Sequence, residues 1–236
     1  MRLLPPCRTN THRAMTTRDQ KVYCAIIGDI NKSRTLPGRN RVQKRFRRAV
    51  ETVNREFRDD IASPFLITLG DEFQGLLLSP VESHHLVNRF RQLMQPVSFA
   101  FGVGIGTLST PLNSSIALGM DGDAFYRARS ALSIAKARKR TLTYGVNAAS
   151  EELINALVAL MDRQWRRLTP RQQQISRMLR QHNAKDVARR LRISPQAVSK
   201  ARSAAGAAEL DEAAAALRRF LGHLVRPHRP GAKRHP

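Results

Sequence analysis

Along the chain, apolar positions fall into strand-like runs and helix-like stripes. From Val22 to Ile30, VYCAIIGDI is β-branched and continuously apolar, the pattern of a strand buried on both faces. The loop NKSRTLPGRN follows, broken by Pro37 and Gly38. The spacing then predicts a helix over about Arg39 to Asp60. Val42, Phe46, Ala49, Val50, Val53 and Phe57 return to one face, and arginines cover the other. PFLITL and FQGLLL read as two further strands, joined so closely that they form an antiparallel hairpin with Gly70, Asp71 and Glu72 at its tip. Ser79 and Pro80 signal a helix running to about Gln95. PVSFAFGVGIGTL is a fourth strand, with glycine at positions 102, 104 and 106. DGDAFYRARSALSIAKARK is a helix with Phe125, Ala128, Leu132 and Ala135 inward, and TLTYGVN is a short closing strand.

The order β-α-β-β-α-β-α-β over residues 21–147 is that of an α+β fold. It predicts a ferredoxin-like layer in which helices cross one face of a mixed, largely antiparallel sheet. In that topology the first strand and the central hairpin are neighbours. Asp29, at the end of the first strand, then meets Asp71 and Glu72 at one edge.

Residues 150–222 carry only the helical period and read as a separate all-α domain. Ser150 caps a helix with Glu151 and Glu152 in its first turn, and Thr169, Pro170 and Gln172 make a capping box for the next. Residues 169–205 have the pattern of a helix-turn-helix. Val187, Ala188 and Leu191 line one helix, Ile193 plugs the turn, Ser194 and Pro195 start the second helix, and Val198 packs it back. The outward Gln196, Ser199, Lys200 and Arg202 offer donors to base edges and phosphates in a major groove. Together with Ser194 they are the candidate DNA-binding residues, and the cadence resembles the DNA-binding region of sigma factors. ELDEAAAALRRFLGHL adds an amphipathic helix that can bury against these helices or against another subunit. The basic ends, 1–20 and 223–236, are expected to be disordered, and Met15 is an alternative start.

Charge strengthens the nucleic-acid reading. The 236 residues hold 41 basic and 18 acidic side chains, net +23. The three stretches 1–20, 21–150 and 151–236 carry +3, +9 and +11, so the last third holds nearly half the excess. Such a field attracts nucleic acid by counterion release, although an arginine-rich proteome would account for part of it. Two cysteines, Cys7 and Cys24, exclude a disulfide framework, and a reducing cytoplasm is the expected location. No run reaches the length of a membrane span. The glycines at 102, 104 and 106 lie in a strand, so they are not a dinucleotide fingerprint. His84 and His85 are adjacent and cannot share a helix face, which makes them ordinary surface or interface residues.

Adjacent carboxylates at a hairpin tip, facing a third on the next strand, are costly unless a cation neutralises them. Mg²⁺ or Mn²⁺, with phosphate oxygens completing its shell, suits such a site. The plain alternative is that GDE is only a turn and GDI a strand end. At these residues a resemblance appears: AIIGDINKSR followed by PFLITLGDEFQGLL resembles the SatD family over about residues 21–200. More remotely, residues 21–147 resemble class III nucleotidyl cyclases and GGDEF diguanylate cyclases, as does the later FGVGIGT…MDGDAFYRARSAL. The resemblance implies Asp29 and Asp71 as metal ligands with the Ile30 carbonyl, or Glu72 in place of Asp71 on the diguanylate cyclase pattern. It implies a phosphate cradle along Ile30, Asn31, Lys32, Ser33 and Arg34.

The chain departs from these enzymes at Ile67, Leu69, Tyr126 and Ser130, where cyclases select the base or stabilise the transition state. Arg127 and Arg129 are out of register. The expectation is a DNA-binding regulatory protein of the SatD type, a homodimer whose cyclase-like domain senses a nucleoside triphosphate or other nucleotide with a divalent metal. The alternative is an active metal-dependent nucleotidyl cyclase or nucleotidyltransferase with the helical part as a docking module.

Overall fold

The computed structural model describes residues 21–147 and 149–225. The basic stretches 1–20 and 226–236, with Cys7 and Met15, lie outside them. Five strands make one sheet: β1 (Tyr23–Ile30), β2 (Ile61–Leu69), β3 (Glu72–Leu77), β4 (Phe99–Gly106) and β5 (Leu142–Val146). Their spatial order is β2-β3-β1-β4-β5. The first four are antiparallel and β5 joins β4 in parallel, so the sheet is mixed and its antiparallel part ferredoxin-like. Helices α1 (Arg39–Glu56), α2 (Ser83–Met94) and α3 (Asp123–Ala137) complete this layer.

The helices cover both faces of the sheet rather than the single face expected. Cys24, Ile26 and Ile30 of β1 join one buried cluster with Phe46 and Val50 of α1 and Leu86 and Phe90 of α2. Ala25 and Ile27 join another with Ala124, Ala128 and Leu132 of α3. This is what the continuous apolar run of β1 requires, since each alternate side chain needs its own cover. The first cluster is rich in aromatic rings: Phe73 stacks on Phe90 at 4.3 Å and meets Phe46 and Phe101 edge-on. On the opposite face the β4 glycines let α3 lie directly on the strand. A Cβ at Gly102 would stand 2.0 Å from the Ala128 carbonyl oxygen, and one at Gly104 would stand 2.0 Å from that of Ala124.

Two boundaries differ from the sequence reading, each for a local reason. Helix α1 stops at Glu56, and β2 begins at Ile61 with register shifts along its pairing with β3. Where β2 shifts register between Ser63 and Leu66, the Asn54 side chain bonds both the N–H and the carbonyl of Phe65, each at 2.8 Å. Helix α2 starts at Ser83 rather than at Ser79–Pro80. The Pro80 carbonyl accepts from the Ser83 N–H and hydroxyl, and that buried hydroxyl also meets the Tyr144 hydroxyl at 3.0 Å.

The remaining helices are α4 (Glu151–Arg167), α5 (Pro170–Leu179), α6 (Ala184–Leu191), α7 (Pro195–Ala204) and α8 (Ala207–Leu224). They do not form the wholly separate unit expected after residue 150. Ile154 and Val158 of α4, with Leu217 and Leu221 of α8, belong to the core of the sheet domain. The buried Asn155 of α4 bonds both backbone groups of Tyr144, at 2.7 and 2.8 Å, and so closes part of the outer edge of β5. Helices α5, α6 and α7 share a small core of their own, built on Ile175, Val187, Ala188 and Val198, and Leu168, Ala205 and Ala207 form another against Trp165 of α4.

Candidate functional site

Strands β1 and β3 bring the carboxylates together. Asp29 pairs in register with Glu72, and the Ile30 N–H donates to the Asp71 carbonyl at 3.0 Å. Gly70, at φ 55°, takes the left-handed conformation that the tight turn needs, which places Glu72 as the first residue of β3 rather than at the tip. Asp29 and Glu72 are directly opposed, so their side chains lie on one face of the sheet, the face that α3 covers.

Helix α3 supplies the neutralising charges. Arg129 and Lys136 are seven residues apart, about two turns, and so project from one side of the helix. Arg129 grips Glu72 through both of its terminal nitrogens, one at 3.0 Å, and Thr68 adds a hydroxyl at 3.2 Å. Lys136 Nζ lies 2.7 Å from Asp29 Oδ2. Asp71 accepts from the Ser33 hydroxyl at 2.5 Å. Burial raises the Asp29 carboxyl above its ordinary range; Lys136 pulls it back, and the nearby Asp71 and Glu72 raise it further. Protein side chains thus neutralise Asp29 and Glu72. Among the described residues no group of three or more His, Cys, Asp or Glu is placed to hold a metal. A hard divalent ion would have to displace Lys136 to reach Asp29 and Arg129 to reach Glu72, whereas Asp71 is held by the Ser33 hydroxyl alone.

The expected phosphate cradle is also partly committed elsewhere. The Ile30 N–H is taken by Asp71 and the Asn31 N–H by the Ser98 carbonyl at 2.9 Å. Ser33 is engaged with Asp71, and the Arg34 side chain lies outside the described residues. Asn31 and Lys32, however, line a cleft of about 700 Å³ beside the carboxylates. Its other charged residues are Arg91 of α2, Lys136, Lys139 and Arg140 around the end of α3, and Arg166 of α4. Of this lining, Asn31 and Lys32 are the residues the sequence marks as site candidates. The rest come from three distant segments that only the folded chain brings together. Arg129, out of register with the cyclase pattern, is the α3 arginine that reaches the cluster. Tyr126 turns away, its hydroxyl donating to Asp121 at 2.6 Å.

A second candidate surface lies on α5–α7. Thr169 and Gln172 form the expected capping box, with bonds of 3.2 and 2.9 Å. Between α6 and α7, Arg192 adopts φ 53° and the Ile193 N–H reaches back to the Ala188 carbonyl at 3.0 Å, turning the chain tightly. Ser194 caps α7 by accepting from the Ala197 N–H at 3.1 Å, so its hydroxyl serves the helix. Gln196, Ser199 and Lys200 are exposed within a narrow arc of α7. Arg202 falls about a third of a turn away and lines a small cavity with Trp165 and Asp211.

A family model described as the SatD family matches residues 23–209. The chain belongs to the SatD family. No curated protein matches it. Among solved structures this SatD-family chain is similar to a bacterial light-regulated adenylyl cyclase, at 14% identity and TM-score 0.39 over 53% of this chain and 76% of that one. It is also similar to the dimeric guanylyl cyclase domain of the RhoGC fusion protein from the aquatic fungus Blastocladiella emersonii. That match has 13% identity and TM-score 0.37, over 48% of this chain and 74% of the other. Among the described residues, no helix of the SatD-family chain is long and apolar enough to cross a membrane.

Proposed function

We propose that this SatD-family protein is a DNA-binding regulatory protein, in which α7 contacts DNA and the sheet domain senses a nucleotide. What carries the reading is the outer face of α7. Gln196, Ser199 and Lys200 are exposed on a helix fixed from behind by Val198 and at its start by the Ser194 cap. Among the described residues Lys200 forms no ion pair within the chain, which leaves its charge available to a phosphate. The net +11 over residues 151–236 adds the sequence-independent attraction. A homodimer would present two such helices to paired half-sites, and the cytoplasm is where such a partner is met. The nucleotidyl cyclase alternative would first have to strip Lys136 and Arg129 from the carboxylates.

The test is duplex binding by fluorescence anisotropy across a salt series, with light scattering to give the mass. DNA affinity should fall steeply with salt. Lys200→Ala should weaken binding and flatten the salt slope by about one unit. Unchanged binding by both Lys200→Ala and Gln196→Ala would remove α7 as the reading helix.

A further inference from the structure

We infer that the cleft between β1, α2, the end of α3 and α4 binds a polyphosphate group directly through lysine and arginine, without a bridging divalent cation. This deepens, and rests on, the nucleotide-sensing half of the function proposed above. Among the described residues six cations line the cleft: Lys32, Arg91, Lys136, Lys139, Arg140 and Arg166. No Asp or Glu is among its described lining residues. Among the described residues two carboxylates reach these cations. Asp29 holds Lys136 at 2.7 Å, while Asp162 holds Arg91 at 2.8 Å and Arg166 at 2.9 Å. Among the described residues, Lys32, Lys139 and Arg140 make no ion pair at all. The cleft therefore keeps an excess of positive charge, and its volume of about 700 Å³ lies within the range of small-molecule sites.

A helix C-terminus attracts cations, so Lys136 and Lys139 alone would be unremarkable at the end of α3. That explanation does not extend to Lys32, Arg91 and Arg166, which arrive from three other segments. Backbone conformation adds an independent sign. Lys32 (φ 55°) and Lys139 (φ 52°) are two of three non-glycine residues in the left-handed region among the described residues, and both line this cleft. At Lys139 the chain closes α3 by bonds from the Lys139 N–H to the Lys136 carbonyl and from the Arg140 N–H to the Ala135 carbonyl. Glycine is the residue that suits such a cap. A lysine there accepts strain and places a charge on the cleft lining, as strained positions at ligand sites commonly do.

The carboxylate cluster explains why no metal is needed. In a metal-bridged site, carboxylates hold the ion and the ion holds the phosphates. Here Lys136 and Arg129 occupy Asp29 and Glu72, and Lys32, Lys139 and Arg140 line the cleft with no carboxylate partner among the described residues. Multiple charge-assisted hydrogen bonds from lysine and arginine can then do the work of the ion. Pro96 and Val97 give the cleft an apolar edge against which a base could lie.

Isothermal titration of the full chain with ATP, inorganic triphosphate and adenosine, each in EDTA and in Mg²⁺, tests this. ATP and triphosphate should bind in EDTA at least as tightly as in Mg²⁺, and adenosine should not bind detectably. Tighter binding of ATP than of triphosphate would make the ligand a nucleotide, and equal binding would make it the polyphosphate alone. Lys139→Gly relieves the backbone, so it should fold at least as well as the parent while losing about tenfold in triphosphate affinity. Binding that appears only with Mg²⁺ or Mn²⁺, or that survives Lys139→Gly unchanged, would overturn the inference. Lys200→Ala separates the two readings: it should weaken duplex DNA and leave triphosphate untouched. Loss of duplex binding in Lys139→Gly with no triphosphate binding in the parent would make the cleft a nucleic-acid surface instead.

Discussion

His84 makes stability pH-dependent at the seam between the sheet domain and the helices. Its ring sits in a small cavity among α2, α4, the end of α5 and α8. Asn88 bonds it at 3.1 Å. On its own helix Arg91 and His85 oppose a second positive charge, as does Arg180 at the end of α5. Asp162 of α4 favours it but is already paired with Arg91. Burial, followed by these cations, holds the imidazole down at about 4, against an ordinary 6.5. A histidine depressed in this way contributes stability fully above pH 6.5, and that contribution drains as the pH falls toward 4. At pH 4.5 the loss is about 2.5 kcal/mol if the ring is wholly enclosed, and about 2 kcal/mol once its partial contact with water is allowed for. The assay is urea unfolding at pH 7.5 and 4.5 on the parent and on His84→Gln, which keeps a polar group toward Asn88 and cannot titrate. Carboxylates titrate alike in both proteins, so the difference between the two pH-dependent losses isolates His84. Equal losses would refute the claim that the ring is held neutral.

Two further expectations concern the frame that positions the site. Gly104→Ala would drive a methyl to 2.0 Å from the Ala124 carbonyl and lift α3, costing about 3 kcal/mol or more, whereas Gly222→Ala finds ordinary contact at 3.6 Å and should be neutral or stabilising. Thermal melts compare them, and a Gly104→Ala melt unchanged from the parent would contradict the close approach of α3 to β4. Asn155→Ala leaves the N–H and carbonyl of Tyr144 without their buried partner and should cost about 2–4 kcal/mol in chemical unfolding. A loss below about 0.5 kcal/mol would mean that water replaces the amide.

The strand and helix order to residue 147 was legible in the sequence because it rests on local periodicity and turn chemistry. The continuous apolar run of β1, the stripe of α1 and the tight hairpin each declare themselves within a few residues. The same holds for the caps of α5 and α7, where Thr169 with Gln172, and Ser194, act on neighbours three positions away. What local pattern misplaced were the points where a distant partner intervenes. Ser83 is held by Pro80 and Tyr144, so α2 starts late. Phe65 is held by Asn54 where β2 shifts its register.

The chain by itself determined that Asp29, Asp71 and Glu72 would share an edge, since strand order and hairpin length leave little choice. It also determined the basic excess and the small exposed face of α7. Only the tertiary structure decided which cations answer the carboxylates. Arg129 and Lys136 lie 57 and 107 residues from Glu72 and Asp29, and no periodicity links residues so far apart. The alternating glycines of β4 bring α3 close enough to make those contacts. The cleft likewise assembles Lys32, Arg91, Arg140 and Arg166 from segments that share nothing in sequence. Charge-pair geometry depends on where helices rest on the sheet, and packing fixes that only once the whole core has closed.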